Sequence, residues 1–259
     1  MIFPNLARMT PAEKLLWTYG ILDPADIDLD AIAFDMGATV HRRLLNGCEA
    51  RLVADGGKAV ITLNARSILT RQRFSLGHEL GHLALDKGRS GFLCSGKDIG
   101  PHKDAARDGE AIANSFASQL LLPSYLFEPA AAGKPLTIDS AEKLATLFTA
   151  SVTATCIKMV RVSATPAWVL CHMRNGKHWF FKSPSVPESI FVNSELHYDT
   201  EAFGMIHGAG ESKTRIKTDG GQLWFSGRDA SRHSVKSQSF RVQEGTVVTM
   251  LSLAAQARR

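Results

Sequence analysis

The sequence predicts an α+β protein, because the spacing of its apolar residues changes three times along the chain. Up to residue 36 apolar residues recur every three or four positions, as in amphipathic helices. Residues 39–64 form short β-type runs separated by glycine-containing turns, which predicts a small antiparallel sheet. Helical spacing returns as far as residue 162, and beyond Pro166 the chain shows β-type runs again. We therefore expect a sheet beside helices, then a helix-turn-helix-like segment and a mainly β C-terminal region.

The first two helices have recognisable ends. Thr10-Pro11-Ala12-Glu13 is a capping box with proline at the first helical position, so a helix should begin there and end near Gly20. A second helix is expected from about Asp28 to Met36, with Gly37 as its C-terminal cap.

Three short strands should follow, at residues 39–45, 49–54 and 58–64. Asn46-Gly47 and Asp55-Gly56-Gly57 separate them, and such pairs favour tight hairpin turns. An edge strand of this sheet could hold an extended peptide by β-strand addition.

The helix expected over residues 67–86 contains His78-Glu79-Leu80-Gly81-His82, an HExxH motif. Residues four apart on an α-helix lie about 40° from each other around its axis, so both imidazoles leave one face and can bind one Zn²⁺. In this motif the glutamate is the general base for a metal-bound water. The alternative is a helix with two hydrogen-bonded core histidines, but burying these groups without a metal or a partner is costly.

A catalytic zinc site usually has three protein ligands, so the motif needs one more. The candidates downstream are five acids and one histidine: Asp86, Asp98, His102, Asp104, Asp108 and Glu110. Asp86 lies a further turn along the same helix and would reach the ion only if that helix broke. Glu110 is better placed, because it lies near the start of a helix expected over residues 109–123. An acid at a helix N-terminus is also favourable without any metal.

The runs TRQRFSLGHELGHLALD and EAIANSFASQLLLP resemble the ImmA/IrrE-type zinc metallopeptidases over about residues 10–165. The resemblance implies a zincin-like peptidase core in which Glu110 is the third metal ligand. It implies Zn²⁺ as the metal, with Mn²⁺ able to replace it in vitro. It also implies a protein substrate, a helix-turn-helix repressor that is cut to relieve repression in a stress response or of a mobile element. Residues 1–125 would form this core, 126–165 a helix-turn-helix-like segment and 166–259 a C-terminal domain of unassigned role.

Residues 138–162 have the pattern of a helix-turn-helix, with Ala145 at the small inner position and Ser151 at the restart. The second helix carries only Lys158 and Arg161, and no side chain near its start that reads base edges. A structural helix pair is therefore favoured over DNA recognition.

The C-terminal third should be mainly β, with a hairpin at Asn175-Gly176. Strands are expected at residues 167–173, 177–182, 190–192, 215–218, 222–226, 239–242 and 246–253. Basic and aromatic residues are interspersed there, which would suit single-stranded nucleic acid. Alternating core and solvated faces of a sheet are the favoured interpretation, and a sensory or substrate-docking module is a third.

Composition favours a cytoplasmic protein. The hydrophobic fraction of 44% and charged fraction of 21% are typical of soluble globular chains. The four cysteines, at 48, 94, 156 and 171, have no CxxC spacing and are expected to be reduced. Residues 1–8 lack signal-peptide architecture, and no apolar run reaches the length of a membrane span. The net charge of +5 permits an acidic or nucleic-acid partner without requiring one.

The favoured function is thus a cytoplasmic zinc endopeptidase in which His78, His82 and Glu110 hold the metal and Glu79 is the base. Tyr125 and His102 are candidates for oxyanion stabilisation, on sequence proximity alone. The rival is a non-catalytic regulator that senses metal or binds DNA. The presence of Glu79 argues against it, since a structural metal site has no need of that carboxylate.

Overall fold

The computed structural model describes residues 6–55, 57–85, 92–95, 108–208, 211–227 and 230–254. The chain forms two compact units. The first contains Met1–Ala132 and Ala145–Ser151, and the second contains Gly133–Leu144 and Val152–Arg259. Helices and sheets are present in both, so the predicted α+β class is confirmed. The predicted division at residues 125 and 165 stays a prediction.

The two N-terminal helices begin as predicted. Helix α1 (Pro11–Thr18) starts with the full capping box, in which Thr10 and Glu13 bond each other's backbone N–H. Helix α2 (Leu29–Asp35) is capped by Asp28, whose side chain accepts from two backbone N–H groups. Gly37 follows α2 with a φ of +85°, a left-handed conformation that favours glycine.

The Glu13 side chain also forms a hydrogen bond with the start of a second helix. Its side chain is 3% exposed, and Oε1 accepts from the backbone N–H of Ser124 at 2.6 Å. Ser124 begins helix α5 (Ser124–Ala131), which was not predicted as a separate helix. Burial alone would raise the pKa of Glu13, but the hydrogen bonds from Thr10 and Ser124 outweigh it and lower that pKa.

We expect Glu13→Gln to lower the free energy of unfolding at pH 7 by about 1–3 kcal/mol, as for other hydrogen bonds to charged groups. Because the folded-state pKa of Glu13 is depressed, its contribution is present above the ordinary carboxyl pKa and is lost as the pH falls through the folded value. The native protein should therefore lose more stability than the variant between about pH 5 and pH 3. Denaturant unfolding at both pH values measures this, with Glu128→Gln, an exposed position on α5, as control. Equal acid sensitivity of native and Glu13→Gln proteins would contradict the assignment.

The first unit contains a four-stranded sheet of β1 (Ala38–Arg43), β2 (Cys48–Asp55), β3 (Lys58–Asn64) and β4 (Phe92–Ser95), in the order β1-β3-β2-β4. The predicted antiparallel pairing is confirmed for β2 with β3, and β4 also pairs antiparallel with β2. Strand β4 lies between the two helices expected over residues 67–86 and 109–123, where no strand was predicted.

The pairing of β1 differs from the prediction. It runs parallel to β3, with Ala38 opposite Ala59, so Asn46-Gly47 does not close a β1–β2 hairpin. Strand β3 lies between β1 and β2 inside the sheet. It is more apolar than β1, and its Ile61 and Leu63 are fully buried. The polar run at the end of β1 suits an edge of the sheet.

Helices α3 (Leu69–Leu85) and α4 (Asp108–Leu121) pack against each other, and α3 also packs on β2 and β3. Leu76 and Leu80 are buried and mark the side of α3 that faces the core. Arg73 Nη2 donates to the carbonyl of Ile27 at 3.2 Å and so fixes α3 to the segment before α2.

The helix-turn-helix-like segment consists of α6 (Ile138–Phe148) and α7 (Val152–Arg161), and α6 contributes residues to both units. No single helix in the described parts of the chain is long and apolar enough to cross a bilayer. Helices α6 and α7 pass that test only as a pair, and the pair bends by 109° at its break.

The second unit is built on a five-stranded antiparallel sheet in the order β6-β5-β11-β10-β8. Its strands are β5 (Ala167–Met173), β6 (Gly176–Lys182), β8 (Lys217–Gly220), β10 (Ser234–Gln243) and β11 (Thr246–Leu253). Helix α7 packs on β5 and β6, and helix α8 (Glu201–His207) packs on β10 and β11. Two-residue strands β7 (Phe191–Val192) and β9 (Phe225–Ser226) form a separate ladder. The mainly β C-terminal region is thus confirmed.

Two details of the second unit differ from the prediction. Residues 222–226 are not one strand, because Gly221–Leu223 form a 3₁₀ turn and only Phe225–Ser226 pair as β9. Gly221 leaves no room for a Cβ beside the carbonyls of Ala230 and His233, so the backbone turns tightly there. Strand β10 is longer than expected, since its polar inward residues hid the strand pattern.

Candidate metal centre

The candidate site lies between α3 and α4, and each helix contributes two side chains four residues apart. His78 and His82 leave one face of α3, and Glu110 and Asn114 leave one face of α4. Four-residue spacing places each pair on a single helical face. Packing α3 against α4 brings the two faces together.

The ligand atoms of the three side chains lie close together, with one Glu110 oxygen near each histidine. His78 Nε2 and His82 Nε2 are 3.1 Å apart, Glu110 Oε2 is 3.2 Å from His78 Nε2, and Glu110 Oε1 is 3.4 Å from His82 Nε2. A tetrahedral zinc with bonds of about 2.0–2.1 Å has neighbouring ligand atoms about 3.3–3.4 Å apart. The residues therefore fit a tetrahedral ion, with one coordination position left for a fourth ligand.

The side of the site formed by α3 is buried. His78 and Glu79 are fully buried and His82 is 3% exposed, whereas the Glu110 side chain is 25% exposed. The fully buried Glu79 carboxylate, on the same helix as the two imidazoles, is expensive to desolvate unless a charge compensates it. A divalent cation would supply that charge.

Asn114 sets the orientation and tautomer of one imidazole. Its Oδ1 lies 3.1 Å from His78 Nδ1, and a carbonyl oxygen can only accept, so His78 Nδ1 carries the proton. The lone pair of His78 is then on Nε2, which faces His82 and Glu110. The sequence analysis matched Asn114 to a family pattern but gave it no role. Its four-residue spacing from Glu110, which repeats the spacing of the two histidines, is the signal that could have shown it.

We expect Asn114→Ala to weaken Zn²⁺ binding by about 10- to 100-fold, as loss of a partner that orients a ligand usually does. Asn114→Asp should retain much of the affinity, because a carboxylate also accepts from Nδ1–H. Competition with a chromophoric chelator measures both dissociation constants. Ser115→Ala, an exposed change on the same helix, is the matched control. Unchanged affinity in Asn114→Ala would show that His78 does not need this partner.

Residues 27–160 match the family model of the IrrE N-terminal-like domain, a peptidase family designated M78. The chain belongs to this family. The matched range contains all four residues of the candidate site and spans more than half of the chain. No sequence among curated proteins matches this chain.

One solved structure with a similar fold is a transcriptional regulator from Mycobacterium tuberculosis. The two chains share 15% identity and superpose with a TM-score of 0.63, over 93% of this chain and 74% of that one. At this identity the similarity concerns the fold alone. It extends beyond the IrrE N-terminal-like domain, since the family match ends at residue 160.

Glu79 stands beside the ligands in this IrrE-like domain. It follows His78 directly on α3, and it lies about 60° from His82 around the helix axis. Its side chain is fully buried.

The other predicted site residues divide into two groups. Asp86, Asp98, His102 and Asp104 lie outside the described residues, and the Asp108 side chain is likewise outside them. Tyr125 is described, and its hydroxyl donates to the carbonyl of Ile21 at 2.7 Å. Burial, with the charge of Glu13, raises the pKa of Tyr125 to about 12. The hydroxyl is thus engaged in holding α5 to the segment after α1, which gives no support to an oxyanion role.

Of the two basic residues of α7, Arg161 is exposed and its guanidinium contacts an aromatic ring of the second-unit sheet. The Arg161 guanidinium carbon is 4.6 Å from the centroid of the Phe181 ring, and burial lowers its pKa. Lys158 is only partly exposed. The face of α7 that packs on β5 and β6 includes Cys156 and Met159, both buried.

Proposed function

We propose that this protein is a zinc-dependent endopeptidase of the cytoplasm. The clustering of His78, His82 and Glu110 ligand atoms at separations of 3.1–3.4 Å, with Glu79 next to His78 on α3, carries the proposal. Membership of a peptidase family supports it at the level of reaction class.

His78, His82 and Glu110 would hold the ion. A bound zinc supplies Lewis acidity towards a scissile carbonyl and a water of lowered pKa. The Glu79 carboxylate accepts the proton of the attacking water and later delivers it to the leaving amine. Burial of Glu79 keeps bulk water from competing as the proton donor or acceptor. The Asn114 carbonyl keeps His78 in the tautomer whose Nε2 faces the ion.

The proposed substrate is a helix-turn-helix repressor, cut to relieve repression in a stress response or of a mobile element. Resemblance to ImmA/IrrE-type peptidases supports this choice. The first-unit sheet has two edge strands, β1 and β4, either of which could hold an extended peptide through backbone hydrogen bonds.

The deciding experiment incubates the purified protein with the repressor encoded next to its gene, in Zn²⁺ or Mn²⁺, with and without chelator. We expect discrete fragments, identified by mass spectrometry, whose appearance stops on chelation and resumes when the metal is restored. Metal-independent cleavage would contradict the proposal, and so would an intact repressor beside a metal-loaded protein.

A non-catalytic regulator that senses metal or binds DNA is the second candidate. It is favoured by the fold shared with a protein named a transcriptional regulator. Against DNA binding, α7 carries no Asn, Gln or Arg near its start to read base edges, and the Arg161 guanidinium at its end lies over the Phe181 ring. We therefore expect no sequence-selective gel shift with DNA from the promoter region. A salt-tolerant shift that disappears in the double variant Lys158→Ala, Arg161→Ala would favour the regulator.

A further inference from the structure

Two glycines of α3 lie where the helix meets α4. Gly77 and Gly81 are four residues apart, and each directly precedes a candidate ligand histidine. On α4, Ala113 and Ala117 have the same spacing, and each follows Glu110 or Asn114 by three residues. The small residues and the candidate ligands thus form neighbouring stripes on the same two helices.

This contact is too close for a side chain on α3. A Cβ added to Gly81 would lie 3.0 Å from Ala113 Cα, 3.2 Å from the Ala113 carbonyl oxygen and 3.2 Å from Phe116 Cβ. A Cβ on Gly77 would lie 3.3 Å from both Cα and Cβ of Ala117. Carbon atoms pack best at about 3.5–4.0 Å, so alanine at Gly81 would push against the backbone of α4. That backbone cannot rotate away as a flexible side chain would.

Backbone conformation does not explain why glycine occurs at positions 77 and 81. Both lie inside α3 and neither has a positive φ. Glycine is among the poorest helix formers, so its presence twice in the middle of a 17-residue helix opposes local helix stability. The close approach of α4 is the feature of the structure that accounts for both.

We infer that Gly81, supported by Gly77, is a positioning residue that sets the α3–α4 separation and thereby brings Glu110 to the two histidines. The inference rests on the proposed metal site. Glu110 approaches the histidine nitrogens at 3.2 and 3.4 Å, and metal sites hold their ligand distances to within about 0.2 Å. Moving α4 outward by the several tenths of an ångström that a Cβ requires would exceed this tolerance. Gly81 would act without touching the ion.

The test is Zn²⁺ binding by Gly81→Ala, Gly77→Ala and Gly204→Ala in the full chain. Gly204 is the matched control, because it lies inside α8 and a Cβ there would meet nothing within 4 Å. Competition with a chromophoric chelator gives the dissociation constant for Zn²⁺, and circular dichroism with denaturant unfolding gives the stability of the metal-free protein.

We expect Gly81→Ala to weaken Zn²⁺ binding by about 10- to 100-fold, as other changes that misplace a retained ligand do. Gly77→Ala should weaken it less, since its contacts are longer, and Gly204→Ala should match the native protein. If Gly81→Ala does not fold, Gly77→Ala decides the question. Unchanged Zn²⁺ affinity in folded Gly81→Ala would overturn the inference and leave the proposed site intact, whatever the stability of the metal-free variant. If the native protein binds no Zn²⁺, the proposed function and the inference both fail.

Discussion

Glu79→Gln should abolish most cleavage while leaving the fold and metal content unchanged. Glutamine keeps the size of the side chain and its hydrogen-bonding shape, but it cannot accept the proton of the attacking water. Loss of a positioned general base usually lowers the rate by about 10²- to 10⁴-fold. Initial rates on the repressor substrate measure the effect, and elemental analysis of the same sample establishes that the metal is present.

The matched control for this variant is Glu188→Gln, the same change at an exposed position of the second unit. It should cleave at the native rate. Native turnover by metal-loaded Glu79→Gln would show that another group accepts the proton. Loss of metal together with activity would instead point to a role for Glu79 in holding the ion, and the base assignment would then have to be abandoned.

The parts of the fold that sequence could predict are those with a local cause. The capping box at Thr10 and Glu13 and the hairpin at Asn175-Gly176 depend on contacts within a few residues, and both are present. The parallel pairing of β1 with β3 is not local. It depends on which strand is buried by the rest of the unit. The residues of a Gly-containing turn do not determine which strand that is.

Two helices, α8 and α5, were not predicted for a different reason. Helix α8 has a capping threonine, Thr200, which accepts from the Phe203 N–H, but it is only seven residues long and contains Gly204. Helix α5 contains Pro129 and follows a proline. In both, local propensity opposes the helix, and tertiary packing overrides it.

The candidate site shows the same division. The spacing of His78 and His82 predicts a shared face, because both lie on one helix. Glu110 was placed by family resemblance together with its position at a helix start, and the structure brings it to the histidines. The contact of Asn114 with His78 and the close approach at Gly81 depend on how α3 meets α4. The spacing of Asn114 and Glu110 indicates a shared face of α4, but not which residues of α3 that face meets.

Glu110→Ala should remove the metal. The variant leaves two histidines, which cannot close a three-ligand zinc site, and the affinity should fall by more than the roughly 10- to 100-fold expected from losing an orienting partner such as Asn114. Metal content after dialysis against dilute Zn²⁺ gives the direct answer. Ser115→Ala, exposed on the same helix, should keep the native content.

A thermal shift gives an independent measurement of the same prediction. A ligand present at 100 times its dissociation constant stabilises the folded state by about 2.7 kcal/mol, so Zn²⁺ should raise the melting temperature of the native protein by several degrees. The Glu110→Ala variant should fold without metal, because it removes a mostly buried carboxylate whose desolvation is costly when no ion is bound, and it should show no Zn²⁺-dependent shift. Full metal content and a native shift in Glu110→Ala would show that the third ligand comes from elsewhere. The acids and the histidine of residues 86–108 would then be the candidates.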